Sequence, residues 1–112
     1  MALPHVASGQ IARLEPLGER LTEAVSAALF KASQLEVVRL VLPRGHRMRE
    51  HRVQGEITLQ CLEGELDLSV YGNTQRMRPG DLMYVAAGEP HALHAVQDCS
   101  MLLTICLLPG SE

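Results

Sequence analysis

Apolar and polar side chains alternate with a period of two over most of the chain beyond residue 34. The alternation is clearest in residues 57–62, which Glu63-Gly64 ends, and in residues 65–71, which Gly72 follows. Residues 35–42 form a β-branched, apolar run that ends at a proline. Runs of this length and composition, bounded by glycine or proline, predict half-buried β-strands.

Four more strand-like runs follow in the second half of the chain, and turn-forming residues separate them. A two-residue turn at residues 72–73 precedes the first of the four. The four runs cover residues 75–78, 82–86, 91–96 and 101–108. Short strands that recur about every ten positions predict an all-β sandwich or barrel. No long helical segment lies between them, which excludes the crossovers of a parallel β-α-β fold.

The N-terminal third of the chain has a different pattern. Between residues 17 and 30 the apolar side chains recur at intervals of three and four, and Glu19 and Glu23 stand near the start, where a helix dipole favours acidic groups. This pattern predicts one or two helical turns. We therefore expect an N-terminal extension, residues 1–33, that packs on a β domain formed by residues 34–112 or on the partner of a dimer.

Length and composition are those of one soluble globular domain. The 112 residues are 46% hydrophobic and 21% charged, which excludes a disordered chain. The net charge is −3, aromatic residues make up 3%, and no basic stripe is visible, so nucleic acid is not an expected partner. No apolar run reaches the roughly 20 residues of a membrane span, and the N-terminus lacks the pattern of a secretory signal.

Three cysteines bear on the compartment in which the chain works. Cys61, Cys99 and Cys106 are odd in number and form no C-x-x-C pair. Reduced, buried thiols are the expected state, and they favour a cytoplasmic location. Cys99 and Cys106 are seven residues apart, which places them on opposite faces of one strand and argues against a disulfide between them.

Glycines and histidines between residues 45 and 91 resemble the two sequence motifs of the cupins, in particular of small RmlC-like jelly rolls. The matching residues are Gly45, His51 and Gly64 for the first motif and Gly80, Gly88 and His91 for the second. The resemblance implies a double-stranded β-helix, or jelly-roll barrel, after a short helical segment. It also offers an alternative for residues 27–31, where cupins often have a strand. Residues 44–52, which carry four arginines, are expected to form the loop into the first motif.

The resemblance further implies a site in the barrel, where metal-binding cupins hold an ion with three histidines and one glutamate. Two of these four positions are kept, as His51 and His91. Val53 stands where the second histidine of the first motif is expected, and Ile57 stands where the glutamate is expected. His51, His91, Val53, Ile57 and Cys61 are therefore the predicted lining of a small-molecule pocket at the barrel mouth.

A metal site would need a third protein donor beside His51 and His91. Glu56 is the nearest carboxylate in sequence, and two histidines with one carboxylate would suit Fe or Mn, with Zn and Ni as alternatives. Side chains alternate between faces along a strand, so Glu56 is expected to point away from the barrel unless a bulge near Gly55 resets the register. His94 meets the same objection, because it follows His91 by three positions.

Three functions remain open from the sequence. The first, which we favour, is a binding module that holds a small hydrophobic or carboxylate-bearing molecule around His51 and His91. The second is a metal-dependent oxygenase or isomerase that adds a non-standard third ligand to these histidines. The third is a metal-free isomerase in which one of the imidazoles transfers a proton.

Two of the predicted strands are apolar on both faces, namely those in residues 35–42 and 101–108. A strand of this kind must be covered on both sides, and the barrel interior covers one of them. The N-terminal extension or a second subunit must cover the other. We expect a homodimer, which is also the assembly that the cupin resemblance implies.

Overall fold

The structure is a computed structural model, and it describes residues 5–108. In this part of the chain one turn of 3-10 helix, Gly18–Thr22, precedes nine strands. The strands are β1 (Ala27–Lys31), β2 (Leu35–Leu42), β3 (Arg47–His51), β4 (Ile57–Glu63), β5 (Leu66–Val70), β6 (Asn73–Met77), β7 (Leu82–Val85), β8 (His91–Ala95) and β9 (Cys99–Cys106). A helix with the length and apolar composition needed to cross a bilayer does not occur in the described residues.

The strands form two antiparallel sheets that pack face to face. One sheet has the order β1-β2-β9-β4-β7, and the other has the order β3-β8-β5-β6. Neighbouring strands are often distant in sequence: β2 and β4 both pair with β9, the last strand of the chain that is described. This arrangement is that of a jelly roll, so the predicted fold class is confirmed.

Alternating burial shows which face of each strand forms the core. In β4 the side chains of Ile57, Leu59 and Cys61 are buried, and the residues between them are partly exposed. Leu66 and Leu68 of β5 are fully buried in the other sheet and belong to the same apolar cluster. Burial of one leucine side chain stabilises the fold by roughly 1.5–3 kcal/mol. The cluster between the two sheets is therefore the main source of stability.

The sandwich has two ends, which its connections define. The end that carries residues 52–56 and 86–90 is called the histidine end below, because β3 finishes there and β8 begins there. The Gly88 amide donates a hydrogen bond to the Val53 carbonyl at 2.9 Å and so joins these two connections. The turns after β2, β4, β6 and β8 lie at the opposite end, where backbone hydrogen bonds connect the turn after β2 with the end of β8.

The predicted N-terminal helix is limited to the 3-10 turn Gly18–Thr22, and the alternative of a strand at Ala27–Lys31 is correct. β1 pairs with the edge of β2 in an antiparallel ladder that has one irregularity. Hydrogen bonds to an existing sheet edge satisfy the backbone of such a short segment, whereas an isolated short helix is marginal in water. The sheet contact therefore overrides the helical spacing of the apolar side chains.

Two smaller predictions are also corrected. Residues 44–52, the basic segment, are predicted to form a loop, but Arg47–His51 forms β3 and pairs with β8. The two-residue turn between β5 and β6 lies at Tyr71 and Gly72, one position earlier than expected. Both of these residues have positive φ angles, 51° and 77°, as a type I′ hairpin turn requires at its two central positions.

The chain before β1 packs on the outer face of the five-stranded sheet. The Glu63 carboxylate, at the end of β4, accepts hydrogen bonds from the amides of Leu17 and Gly18 at 2.8 and 2.9 Å. Strand β1 lies inside the predicted extension and yet belongs to this sheet, so the sheet begins before residue 34. The division of the chain into residues 1–33 and 34–112 stays a prediction.

Candidate functional site

A β-bulge in β3 brings the two motif histidines side by side. Met48 lies opposite Leu93 in the β3–β8 ladder, and His51 lies opposite His91, so β3 has one more residue than β8 between the two pairs. A regular ladder would place Glu50 opposite His91 instead. Because a shift of one residue turns every following side chain to the other face, the bulge directs the imidazole toward His91 and the carboxylate of Glu50 away from it.

The two imidazole rings are in contact. Their centroids are 4.3 Å apart, and their planes are inclined by 57°. Each Nδ1 atom lies 3.1 Å from a main-chain carbonyl oxygen, that of Arg49 for His51 and that of Glu89 for His91. A carbonyl oxygen can only accept a hydrogen bond, so Nδ1 carries the proton in both rings. In the neutral state each Nε2 atom then keeps a lone pair for a ligand.

The two histidines differ in exposure. His91 is 3% exposed, whereas His51 faces solvent. Burial lowers the pKa of His91; the hydrogen bond to the Glu89 carbonyl opposes this effect, and the neighbouring His51 adds to it. His91 is therefore a neutral imidazole at neutral pH and forms the inner half of the pair.

Two of the predicted lining residues, Val53 and Ile57, belong to the apolar core or pack against it. Val53 is partly buried and packs against the core cluster. Ile57, which is 3% exposed, begins β4 and lies opposite Val85 at the end of β7. The structure thus places Val53 and Ile57 at the same end of the sandwich as His51 and His91.

Cys61, the fifth residue of the predicted lining, lies toward the opposite end. It follows Ile57 by four positions in β4, which is about 13 Å along a strand, and its amide donates to the Asp81 carbonyl in the β6–β7 turn. Its Sγ atom donates to the Gly64 carbonyl at 3.3 Å. Burial, and after it the carboxylates of Asp81 and Glu65, raises the pKa of the thiol to about 11. Cys61 is a protonated core thiol that the length of β4 separates from the histidine pair.

The donor set at the pair does not fit a resident metal ion. Across residues 5–108, no three His, Cys, Asp or Glu side chains are grouped as a metal site requires. Glu56, the candidate third ligand, lies on the outer side of the sheet, where its carboxylate accepts a hydrogen bond from the Tyr84 hydroxyl at 2.7 Å. The carboxylate is therefore not turned inward, and the ladder between β4 and β7 is regular from Ile57 to Gln60. The two imidazoles supply fewer than the three or four protein donors that a divalent ion needs.

Other candidate residues have different surroundings. His94 lies on the partly exposed face of β8, as the strand alternation predicts. Arg52, from the basic segment, does reach the histidine end, where its Nη1 donates to the Gly88 carbonyl at 3.3 Å. Sequence reasoning missed this contact and the carbonyls of Arg49 and Glu89 that hold the imidazoles. No residue type signals them, because every residue carries the same main-chain carbonyl.

The sequence matches the model of a protein family and a curated relative. The model, described as a cupin domain, matches residues 38–106. The relative is quercetin 2,3-dioxygenase of Bacillus subtilis (strain 168), which is 30% identical over 111 residues. That match covers 97% of this chain and 32% of the relative, so the chain spans about a third of the relative's length.

Solved structures have the same architecture. A conserved protein of unknown function from Streptococcus pyogenes is 24% identical, with a TM-score of 0.74, over 95% of this chain and 96% of that one. A cupin superfamily protein from Desulfitobacterium hafniense is 20% identical, with a TM-score of 0.72, over 75% and 77% of the two chains. At these identities the likeness concerns the fold alone. Because the cupin domain model covers more than half of its residues, the chain belongs to the cupin family.

Proposed function

We propose that the chain binds a small organic molecule at the histidine end, with His51 and His91 as the polar contacts. The observation that carries this proposal is the pair of adjacent imidazoles, which main-chain carbonyls hold so that both Nε2 atoms are left for a ligand. Val53 and Ile57 are apolar side chains at the same end. Sites for small molecules typically combine apolar walls with a few fixed polar groups.

The chemistry of the two rings favours a ligand that carries a hydroxyl group. A neutral imidazole with its proton on Nδ1 accepts a hydrogen bond at Nε2, so a hydroxyl donor is complementary to it. Burial disfavours the positive charge of His91, which makes an anion a poorer partner for this ring than a neutral donor. We therefore expect a neutral, mainly apolar molecule with one or two hydroxyl groups.

Phenol and toluene test this proposal, because they have nearly the same shape and phenol alone carries a hydroxyl. Phenol is expected to shift the side-chain ¹⁵N resonances of His51 and His91 in a saturable titration, and toluene is not. His51→Ala removes an exposed side chain and is expected to weaken phenol binding about tenfold, the size of one good hydrogen bond. The control His94→Ala, on the other face of β8, should leave binding unchanged.

Three results would contradict the proposal: shifts of equal size with toluene, stronger binding of benzoate than of phenol, or a titration that His51→Ala does not affect. Metal analysis of the same protein, purified without a chelator, addresses the competing metal-dependent oxygenase or isomerase. Close to one equivalent of Fe, Mn, Zn or Ni, lost in His51→Ala, would favour that enzyme instead. A metal-free isomerase would need a carboxylate to orient an imidazole, whereas main-chain carbonyls orient both rings here.

We also propose that two copies of the chain pair through the outer face of the five-stranded sheet. Leu82 and Tyr84 of β7 alternate with the inward-facing Met83 and Val85 and are 64% and 59% exposed. Leu35, at the start of β2 in the same sheet, is 38% exposed. Apolar side chains on an uncovered sheet face favour an interface, and the same face on a second copy is complementary to it through a twofold axis.

Sedimentation velocity at micromolar concentration is expected to report a dimer. Leu82→Glu should dissociate it, because the substitution buries a charge in an apolar contact. Tyr71→Glu is the matched control, since Tyr71 is 65% exposed but lies in the β5–β6 turn. A monomeric wild-type protein, or a dimer that persists in Leu82→Glu and dissociates in Tyr71→Glu, would show that this face is not the interface.

A further inference from the structure

A second cavity lies outside the barrel, between the N-terminal segment and the outer face of β1 and β2. Its volume is about 320 Å³, at the lower end of the range for small-molecule sites. Arg39 and Val41 contribute to it from β2, and they alternate with Leu40 and Leu42, which pack in the core. The five-stranded sheet therefore separates this cavity from the core side, on which the histidine pair lies.

The lining combines an apolar floor with charged side chains of both signs. The floor includes Ala27, Leu29 and Val41. The charged lining residues are Arg13, Arg20 and Arg39 against Glu15 and Glu23. Glu63 is paired with Arg39, so the remaining charged lining residues are two arginines and two glutamates, and an apolar surface bordered by such side chains is the composition expected for an amphipathic ligand.

Arg39 is the fixed charged group of the cavity. It is 8% exposed, and its Nη2 donates to the Glu63 carboxylate at 3.1 Å and to the Ser100 hydroxyl at 3.4 Å. Its Nε atom is buried and has no acceptor among the described residues. Buried donors are almost always paired, so the Nε atom of this cavity-lining arginine needs an acceptor that the described residues do not supply. A guanidinium with an unused donor is also suited to a carboxylate oxygen as its acceptor.

We propose that this cavity binds a small monocarboxylate with a short apolar body. The carboxylate accepts from Arg39 and is attracted by the arginines of the N-terminal segment, and the apolar body lies on the floor formed by β1 and β2. An amine is the wrong partner, because the unsatisfied group at the site is a donor. The proposal does not depend on the histidine pair, which lies on the other side of the sheet.

Hexanoate is the probe for this site, and the ¹H–¹⁵N resonance of Arg39 Nε is the direct readout. Hexanoate is expected to shift this resonance in a saturable titration at concentrations up to about 10 mM, a range in which weak binding by a small ligand is observable. Hexylamine and hexanol, which have the same chain and lack the carboxylate, should not shift it. The side-chain resonances of His51 and His91 should not respond to hexanoate, so the result is distinct from that of the phenol titration.

Two variants show where the probe binds. Ala27→Leu fills the floor and is expected to abolish the shift. Arg20→Gln removes an exposed charge and is expected to weaken binding severalfold, whereas Arg47→Gln, which removes an exposed charge on β3, should leave binding unchanged. The comparison of Arg20→Gln with Arg47→Gln shows whether the probe binds in this cavity even if Ala27→Leu does not fold. An Arg39 Nε resonance that does not move, an equal response to hexylamine or hexanol, or equal effects of Arg20→Gln and Arg47→Gln would overturn the proposal.

Discussion

Gly64→Ala is expected to lower the free energy of unfolding by about 4 kcal/mol, which is near the upper limit for single substitutions. Gly64 has a φ angle of +74°, where any other residue is strained. A Cβ atom at this position would also collide with the Asp98 carbonyl oxygen and lie 2.9 Å from Cα of Cys99. Both obstacles are main-chain atoms, so neither can move aside as a side chain could.

Two glycines separate the contributions of strain and collision. Gly72→Ala imposes a similar positive φ, +77°, where nothing lies within 4 Å of the added Cβ, and should cost about 1 kcal/mol. Gly55→Ala meets the Cys106 carbonyl without a positive φ, so its loss should exceed that of Gly72→Ala. Urea unfolding followed by circular dichroism measures all three variants. Equal losses for Gly64→Ala and Gly72→Ala would show that the close approach to Asp98 does not matter.

Glu63→Ala is expected to lower the free energy of unfolding by about 3 kcal/mol, because it leaves a nearly buried guanidinium without its counter-ion. The side chains of Glu63 and Arg39 are 16% and 10% exposed. The same carboxylate accepts from the Ser100 hydroxyl and from the amides of Leu17 and Gly18. The substitution should therefore also speed hydrogen exchange at these two amides, since it releases the N-terminal segment from the sheet.

A surface carboxylate is the matched control for Glu63. Glu65→Ala removes an ion pair with Arg76, whose side chain is 38% exposed, and should cost less than about 1 kcal/mol. Urea unfolding measures both variants, and hydrogen exchange is followed by NMR. Equal losses in the two variants, or unchanged exchange at Leu17 and Gly18 in Glu63→Ala, would contradict the role assigned to Glu63.

The same carboxylate makes stability depend on pH in the acid range. Burial alone would raise the pKa of Glu63, but the hydrogen bonds from Leu17, Gly18 and Ser100, followed by the charge of Arg39, hold it below its ordinary value. The stabilisation is therefore fully present above the unfolded-state pKa of about 4.3 and is lost as the pH falls through the folded-state pKa. Glu63→Gln removes this titration and should flatten the acid limb of the stability profile.

Strand positions were predictable because they depend on local alternation. The eight residues of β2 agree with the predicted range, and β4 and β5 agree to within one residue at each end. Alternation reports directly which side chains meet the core, and a turn residue marks where the pattern stops. The helical spacing in residues 17–30 gave a wrong prediction for β1. Spacing within a segment carries no information on its pairing with another segment, and β1 is a strand because it forms hydrogen bonds with β2.

The candidate site was predictable in part. Motif spacing identified His51 and His91, because the fold brings the end of β3 next to the start of β8. Cys61 was included because it shares a face with Ile57, and a shared face gives no information on distance along the strand. The bulge in β3 left no mark in the residue types, so simple alternation alone would have directed Glu50, rather than His51, toward the second histidine.

Because of the bulge in the edge strand β3, two side chains of this strand are candidates for the position opposite His91. In the register of the structure His51 stands opposite His91, and in the bulge-free register of the same sequence Glu50 would stand there. Deletion of Arg49 would leave one candidate, since a regular ladder would then place the imidazole of His51 opposite His91 without a bulge. In the descent of such proteins, small insertions and deletions at a sheet margin would therefore alter the chemistry of a site as directly as point substitutions do.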